Sequence, residues 1–123
     1  MMRTVEVHFG ETTKRLKFDF NAMYEIEESM GKGISAILKE DQIGFRMIQV
    51  FYYAGLKHGK DRGITLDNVG QLLTSKIQDE ECSFEDLMQP ILKALDKSGL
   101  FGKGVKLDPS ADYEEEEKNT VGV

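Results

Sequence analysis

The first twenty residues alternate between apolar and polar side chains with a period of two. One alternating run covers residues 5–9, a second covers residues 16–20, and a glycine-containing loop at residues 10–13 separates them. Two such runs joined by a short loop predict a β-hairpin over residues 3–20 with one buried face. Glu6 and Arg15 are then placed to pair across the outer face. An isolated hairpin is only marginally stable, so its apolar face must pack on later segments of the chain.

From residue 21 onward the apolar side chains recur at helical spacing, up to about residue 98. Asn21 is a suitable N-cap for a first helix that ends at Gly31. A short helix is expected at residues 34–39. Residues 43–58 form the most hydrophobic segment, with few polar positions on any side. A helix of this kind is typical of the centre of a bundle.

Two further helices are predicted in the second half of the chain. Thr65 caps the first of them, which is followed by a polar loop at residues 78–81. Ser83 and Asp86 have the spacing of a capping box at the start of the last helix. Pro90 lies inside this helix and predicts a bend, or a break near Gln89, at a cost of about 3 kcal/mol if nothing compensates it. The apolar stripe predicted for the helix after Thr65 consists of Leu66, Val69, Leu72, Leu73 and Ile77.

Charge is distributed unevenly along the chain. Residues 108–123 hold six acidic residues against one lysine, a net charge of −5, and the preceding residues carry −1 of the total of −6. Residues 102–123 also lack apolar periodicity, so we expect a flexible, disordered acidic tail there. The fold class expected for residues 1–101 is a single α+β domain, mainly α, in which the hairpin packs on a bundle of four to five helices.

Composition narrows the possible functions. The chain has 123 residues and a single cysteine, which excludes an internal disulfide. No apolar run approaches the ~20 residues that cross a bilayer, and the N-terminus does not resemble a signal peptide. We therefore expect a soluble cytoplasmic protein without a membrane partner. The nearly neutral body disfavours nucleic-acid binding, although a local basic patch remains open.

No arrangement of residues predicts catalysis. His8 and His58 are isolated from each other and lack the spacing of a metal site, so no metal or other cofactor is expected. Cys82 follows Glu80 and Glu81, and this anionic neighbourhood disfavours a reactive thiolate. We therefore expect that the chain is not an enzyme.

Tyr52 and Tyr53 are adjacent on the central helix. Their side chains diverge by about 100°, so both cannot serve one interior stripe. One interpretation places one of them in the core and the other in a surface groove. The other interpretation treats both as residues at the rim of the core.

The order of several short motifs resembles the tail assembly chaperones of long-tailed phages and prophages, and the related small proteins of gene transfer agents. The resemblance covers about residues 3–98. It depends on the run Phe18-Asp19-Phe20-Asn21-Ala22, followed by Ile26-Glu27-Glu28 and Gly31-Lys32, and then by Ala54-Gly55-Leu56-Lys57-His58.

This resemblance implies a protein that holds the tape measure protein soluble while the tail tube assembles, and that is absent from the mature virion. The tail tube protein is a further candidate partner, and self-association occurs in that family. Binding of a helical partner in a groove would use apolar residues left over once the core is filled. The candidates are Ile48, Tyr52, Tyr53, Met88 and Phe101. The alternative function is a structural or tail-completion component of the phage particle.

Overall fold

The computed structural model of the protein describes residues 3–40 and 43–102. It confirms an N-terminal antiparallel hairpin packed on five α-helices. The remainder of the predicted acidic tail, after Gly102, lies outside the described residues. The strands are β1 (Thr4–Phe9) and β2 (Thr12–Lys17), and the helices are α1 (Phe20–Met30), α2 (Ile34–Leu38), α3 (Phe45–His58), α4 (Leu66–Glu80) and α5 (Met88–Ser98), with a 3₁₀ turn at Glu85–Leu87.

The hairpin is tighter than the sequence predicts. Phe9 pairs with Thr12, so the loop contains two residues and not four. Gly10 supplies the positive φ, 65°, that such a short loop requires. The predicted pairing across the outer face is confirmed, because Arg15 Nη2 lies 3.4 Å from Glu6 Oε2.

The boundary between β2 and α1 differs from the prediction. Asp19, and not Asn21, is the N-cap: its Oδ1 accepts a hydrogen bond from the Ala22 amide at 2.8 Å. The helix therefore begins at Phe20, which leaves the predicted buried face of the hairpin and is 77% exposed. The face that remains buried consists of Val7, Phe9, Leu16 and Phe18.

Helix α3 is the centre of the bundle, as predicted, and contacts β2, α1, α4 and α5. Two glycines one turn apart let it approach β2 closely. A Cβ added at Gly55 would lie 2.7 Å from Leu16 Cδ2, and one added at Gly59 would lie 2.1 Å from the Arg15 carbonyl oxygen. The helix begins at Phe45, two residues later than predicted.

The capping prediction for α4 is confirmed, whereas the pair predicted to cap the last helix lies at the 3₁₀ turn before it. The Asn68 amide donates to Thr65 Oγ1 at 3.0 Å, and the Thr65 amide donates to Asn68 Oδ1 at 3.2 Å. Ser83 and Asp86 form the same reciprocal pair at the 3₁₀ turn. Helix α4 continues to Glu80, through most of the predicted loop. Its first residue, Leu66, is 45% exposed and does not join the buried stripe.

The free-energy cost of Pro90 to the last helix is smaller than predicted. Helix α5 begins at Met88, so Pro90 is its third residue, and amides in the first turn have no partner within the helix. The predicted break takes the form of a change in helix type, from the 3₁₀ turn to α5, next to Gln89. Among the helices of the described ranges, none has both the length and the apolarity needed to cross a membrane.

Candidate partner-binding groove

An apolar groove opens between the start of α3, the middle of α4 and the 3₁₀ turn. Its volume is about 450 Å³. Polar side chains of α4, including Asp67, Gln71 and Thr74, form part of its rim. Its apolar lining comes from Phe45, Ile48, Leu73, Ile77, Phe84 and Leu87.

Two aromatic rings form one wall of the groove. Phe45 is 78% exposed, an unusual position for so large an apolar side chain. Its ring meets that of Phe84 edge to face, with the ring centroids 4.9 Å apart. Because Phe84 is only half-buried, this pair presents apolar surface to solvent.

Gln49 sets the spacing between the two helices that flank the groove. Its Nε2 donates to the Leu66 carbonyl oxygen at 2.9 Å, which fixes the start of α4 against α3. Gly70 makes room for this contact, because a Cβ there would lie 2.8 Å from Gln49 Nε2. This hydrogen bond joins α3 to the first turn of α4 beside the groove.

Of the five residues predicted to bind a partner, Ile48 alone lines the groove. It is only 2% exposed, so it belongs to the floor. Tyr52 is fully buried, and its hydroxyl donates to the Leu87 carbonyl oxygen at 2.7 Å. Its ring packs edge to face on Phe9, with a centroid distance of 6.3 Å. Burial raises the pKa of Tyr52 far above its ordinary value.

The other three candidates lie elsewhere. Tyr53 is half-buried on a different face of α3, with Lys57 Nζ 5.7 Å from its ring centroid. Met88 is buried in the core. Phe101 is half-buried and packs against the same core. The structure thus corrects the positions of Tyr52 and Met88, because both are core side chains and neither lines the groove. It supports the interpretation in which one of the two adjacent tyrosines is a core residue.

Phe45 and Phe84 are the groove residues that the sequence analysis missed. The helical spacing of α3 could have identified Phe45, because this residue falls outside the apolar stripe of α3 that faces the core. Phe84 immediately precedes the 3₁₀ turn, so it belongs to no helix whose spacing could mark it as exposed.

The remaining candidates for chemistry, His8, His58 and Cys82, do not line the groove. His8 Nδ1 lies 3.0 Å from Thr13 Oγ1, and the His58 ring lies 3.4 Å from Glu25. Burial raises the pKa of the Cys82 thiol, which disfavours the thiolate. No group of acidic, histidine and cysteine side chains within residues 3–40 and 43–102 is arranged to hold a metal ion.

Fold and groove together define a small α+β protein with an exposed apolar cleft on its helical side. Comparisons with protein-family models, with curated proteins and with solved structures found no match for this chain.

The core position of Tyr52 leads to a prediction about stability. Replacing Tyr52 with Phe keeps the ring but removes the buried hydrogen bond to Leu87. We expect the free energy of unfolding to fall by about 1–2 kcal/mol, measured by urea denaturation. Tyr53→Phe is the matched control, expected to change stability by less than about 0.5 kcal/mol. If the free energy of unfolding fell equally in both variants, the buried hydrogen bond of Tyr52 would stabilise the fold no more than the Tyr53 hydroxyl does.

Proposed function

We propose that this chain is a tail assembly chaperone that binds the tape measure protein of a long-tailed phage or prophage. In this proposal it acts in the bacterial cytoplasm, keeps its partner soluble during tube assembly and leaves before the virion matures. The observation that carries the proposal is the open apolar groove beside Phe45, in a chain whose motifs resemble that family.

The chemistry of the partner explains the need for such a groove. A tape measure protein is a long, largely helical chain with repeated apolar faces. Those faces aggregate until the tube covers them. An amphipathic helix binds a groove through apolar anchors at i, i+3, i+4 and i+7. A cleft with aromatic walls and a floor of Ile48 and Leu73 supplies a matching surface for several such anchors.

The charges around the groove favour apolar over ionic recognition. Among its lining residues that the structure describes, Asp67 is the one charged side chain. Binding that depends on buried apolar area is only weakly affected by salt, because screening acts on charge pairs. A chaperone that must grip many segments of one long chain benefits from such recognition, because it does not require a fixed pattern of charges.

Co-expression with the tape measure protein tests this proposal. The partner is the protein encoded by the long coiled-coil reading frame that is expected beside the gene for this chain. Expressed alone, it should collect in the pellet after lysis. With this chain we expect most of it in the supernatant, where the two proteins co-purify. A partner that remains in the pellet at every expression ratio would exclude the chaperone role.

The alternative, a structural or tail-completion component, makes a different prediction for purified particles. A structural subunit remains in the virion at a fixed ratio to the tube protein. The chaperone proposal predicts that mass spectrometry of purified particles detects no peptides of this chain above background.

A further inference from the structure

A strongly basic pocket lies at the open end of the hairpin, beside the C-terminal end of α3. Its volume is about 540 Å³. Within the described ranges, its lining contains no acidic side chain, and Thr4 and Gly59 are its uncharged members. It shares no lining residue with the apolar groove. The basic side chains are Arg3, Arg15, Lys17, His58, Lys60 and Arg62.

Part of this positive charge is balanced and part is not. Arg15 pairs with Glu6, and the His58 ring, which carries charge only when protonated, lies 3.7 Å from Asp19 and 3.4 Å from Glu25. Across residues 3–40 and 43–102, no carboxylate forms an ion pair with the remaining lysines of the pocket or with Arg62. The pocket therefore attracts an anion with several negative charges.

The backbone of Lys60 is a second pointer to a ligand. Lys60 has a φ of 89° at the end of α3, where the Asp61 amide donates to the Leu56 carbonyl oxygen at 3.0 Å. Glycine is the usual residue at such a position. Gly59, next to it, is required for the close approach to Arg15. A lysine held in a strained conformation beside a cationic pocket is typical of a binding site.

The chain itself carries a suitable anion. Residues 112–117 contain Asp112 and four consecutive glutamates, five carboxylates in six residues. The described chain leaves α5 beside the pocket, because Arg3 Nη1 donates to the Lys97 carbonyl oxygen at 2.9 Å. The same Nη1 atom lies 2.9 Å from where a Cβ on Gly99 would be.

Chain length allows the acidic segment to reach the pocket. Ten residues take the chain from Gly102 to Asp112, and a fully extended chain of that length spans at most about 33–36 Å. A segment tethered this close has an effective concentration in the millimolar range at its site. Weak ion pairs are then sufficient for occupancy.

We propose that the basic pocket binds the acidic segment 112–117 of the same chain. The pocket is then a recognition site for acidic peptide, separate from the apolar groove and independent of the tape measure proposal. Any acidic partner of this pocket must first displace the chain's own segment. The positive pocket is thereby hidden from the phosphate backbones of nucleic acids until such a partner arrives.

The test uses the full chain and a fluorescently labelled synthetic peptide of residues 108–120. In one variant, glutamates 114–117 are replaced with glutamine, which removes the internal competitor. We expect this tail-neutral variant to bind the peptide at least tenfold more tightly than the wild-type chain by fluorescence anisotropy. Raising the salt from 50 to 300 mM should weaken that binding at least tenfold. Equal affinity for the two chains would overturn the proposal.

A second set of variants locates the binding site. In the tail-neutral chain, Lys60→Gly should weaken peptide binding at least fivefold, and glycine adopts the positive φ without strain, so folding is preserved. Lys93→Gln, which removes an exposed charge on α5 outside the pocket, is the matched control with an expected change below twofold. Equal losses from Lys60→Gly and Lys93→Gln would show nonspecific attraction.

Two other results would also overturn the proposal. Tighter binding of a duplex oligonucleotide than of the peptide would assign the pocket to nucleic acid. A wild-type chain that is dimeric in sedimentation while the tail-neutral variant is monomeric would place the segment in a second copy.

Discussion

Replacing Gly59 with alanine is expected to destabilise the protein by about 3 kcal/mol, near the upper end of what overpacking costs. The added Cβ would lie 2.1 Å from the carbonyl oxygen of Arg15. This oxygen belongs to the backbone of β2 and cannot rotate away as a side chain does. Relief requires α3 and the hairpin to move apart, which would loosen the contact of α3 with Leu16 and Phe18.

For a domain of this size the loss corresponds to a fall in Tm of roughly 10–20 °C, measured by differential scanning calorimetry. Gly63→Ala is the matched control, because Gly63 lies four residues away with no atom within 4 Å of its added Cβ. Its stability should change by less than about 1 kcal/mol. A Gly59→Ala variant that melts at the wild-type temperature would contradict the close approach of α3 to the Arg15 carbonyl oxygen.

The elements of the fold could be predicted because local signals determine them. Alternation with period two marked the hairpin. Thr65 marked the start of α4 and Ser83 the 3₁₀ turn, through side-chain hydrogen bonds that involve only neighbours in sequence. The errors were small and local. Asp19 and Asn21 are both good N-caps, and the sequence does not say which amide each will reach.

The role of Gly59 could not be predicted, because it depends on a contact between distant parts of the chain. At the end of a helix a glycine is expected for its φ freedom. Here Gly59 has a φ of −91°, and the positive φ belongs to Lys60. What requires glycine is the Arg15 carbonyl, 44 positions earlier in the chain.

Of the residues predicted to bind a partner, the sequence placed only Ile48 in the groove that the structure shows. Apolar residues left over from the core stripes were expected to line it, and that principle identifies Phe45 once the helix start is known. Tyr52 and Met88 were expected there instead, but both are core residues. Tyr52 packs on Phe9 of the hairpin and donates to the Leu87 carbonyl oxygen, and Met88 is 8% exposed. Burial against distant elements is decided by tertiary packing, which the period of one helix does not show.

Replacing Phe45 with serine is expected to abolish most of the partner binding while leaving the fold intact. The ring is mostly exposed, so its loss changes stability by less than about 1 kcal/mol. As an aromatic wall of the groove it is the natural anchor for an apolar helix. Removing an aromatic anchor of an interface costs about 2 kcal/mol or more, roughly a 30-fold loss of affinity.

Phe20→Ser is a closely matched control. Phe20 is 77% exposed, against 78% for Phe45, and also lies at the first position of its helix. It does not line the groove. Both variants remove the same side chain from the same kind of site, so a difference between them reports on the groove and not on general surface hydrophobicity.

The most direct test is the fraction of tape measure protein in the supernatant when it is co-expressed with each variant at equal levels. We predict that Phe20→Ser retains the wild-type fraction and that Phe45→Ser, shown to be folded by its unchanged Tm, leaves most of the tape measure protein in the pellet. A folded Phe45→Ser variant that solubilises its partner as well as the wild-type chain does would contradict binding in this groove.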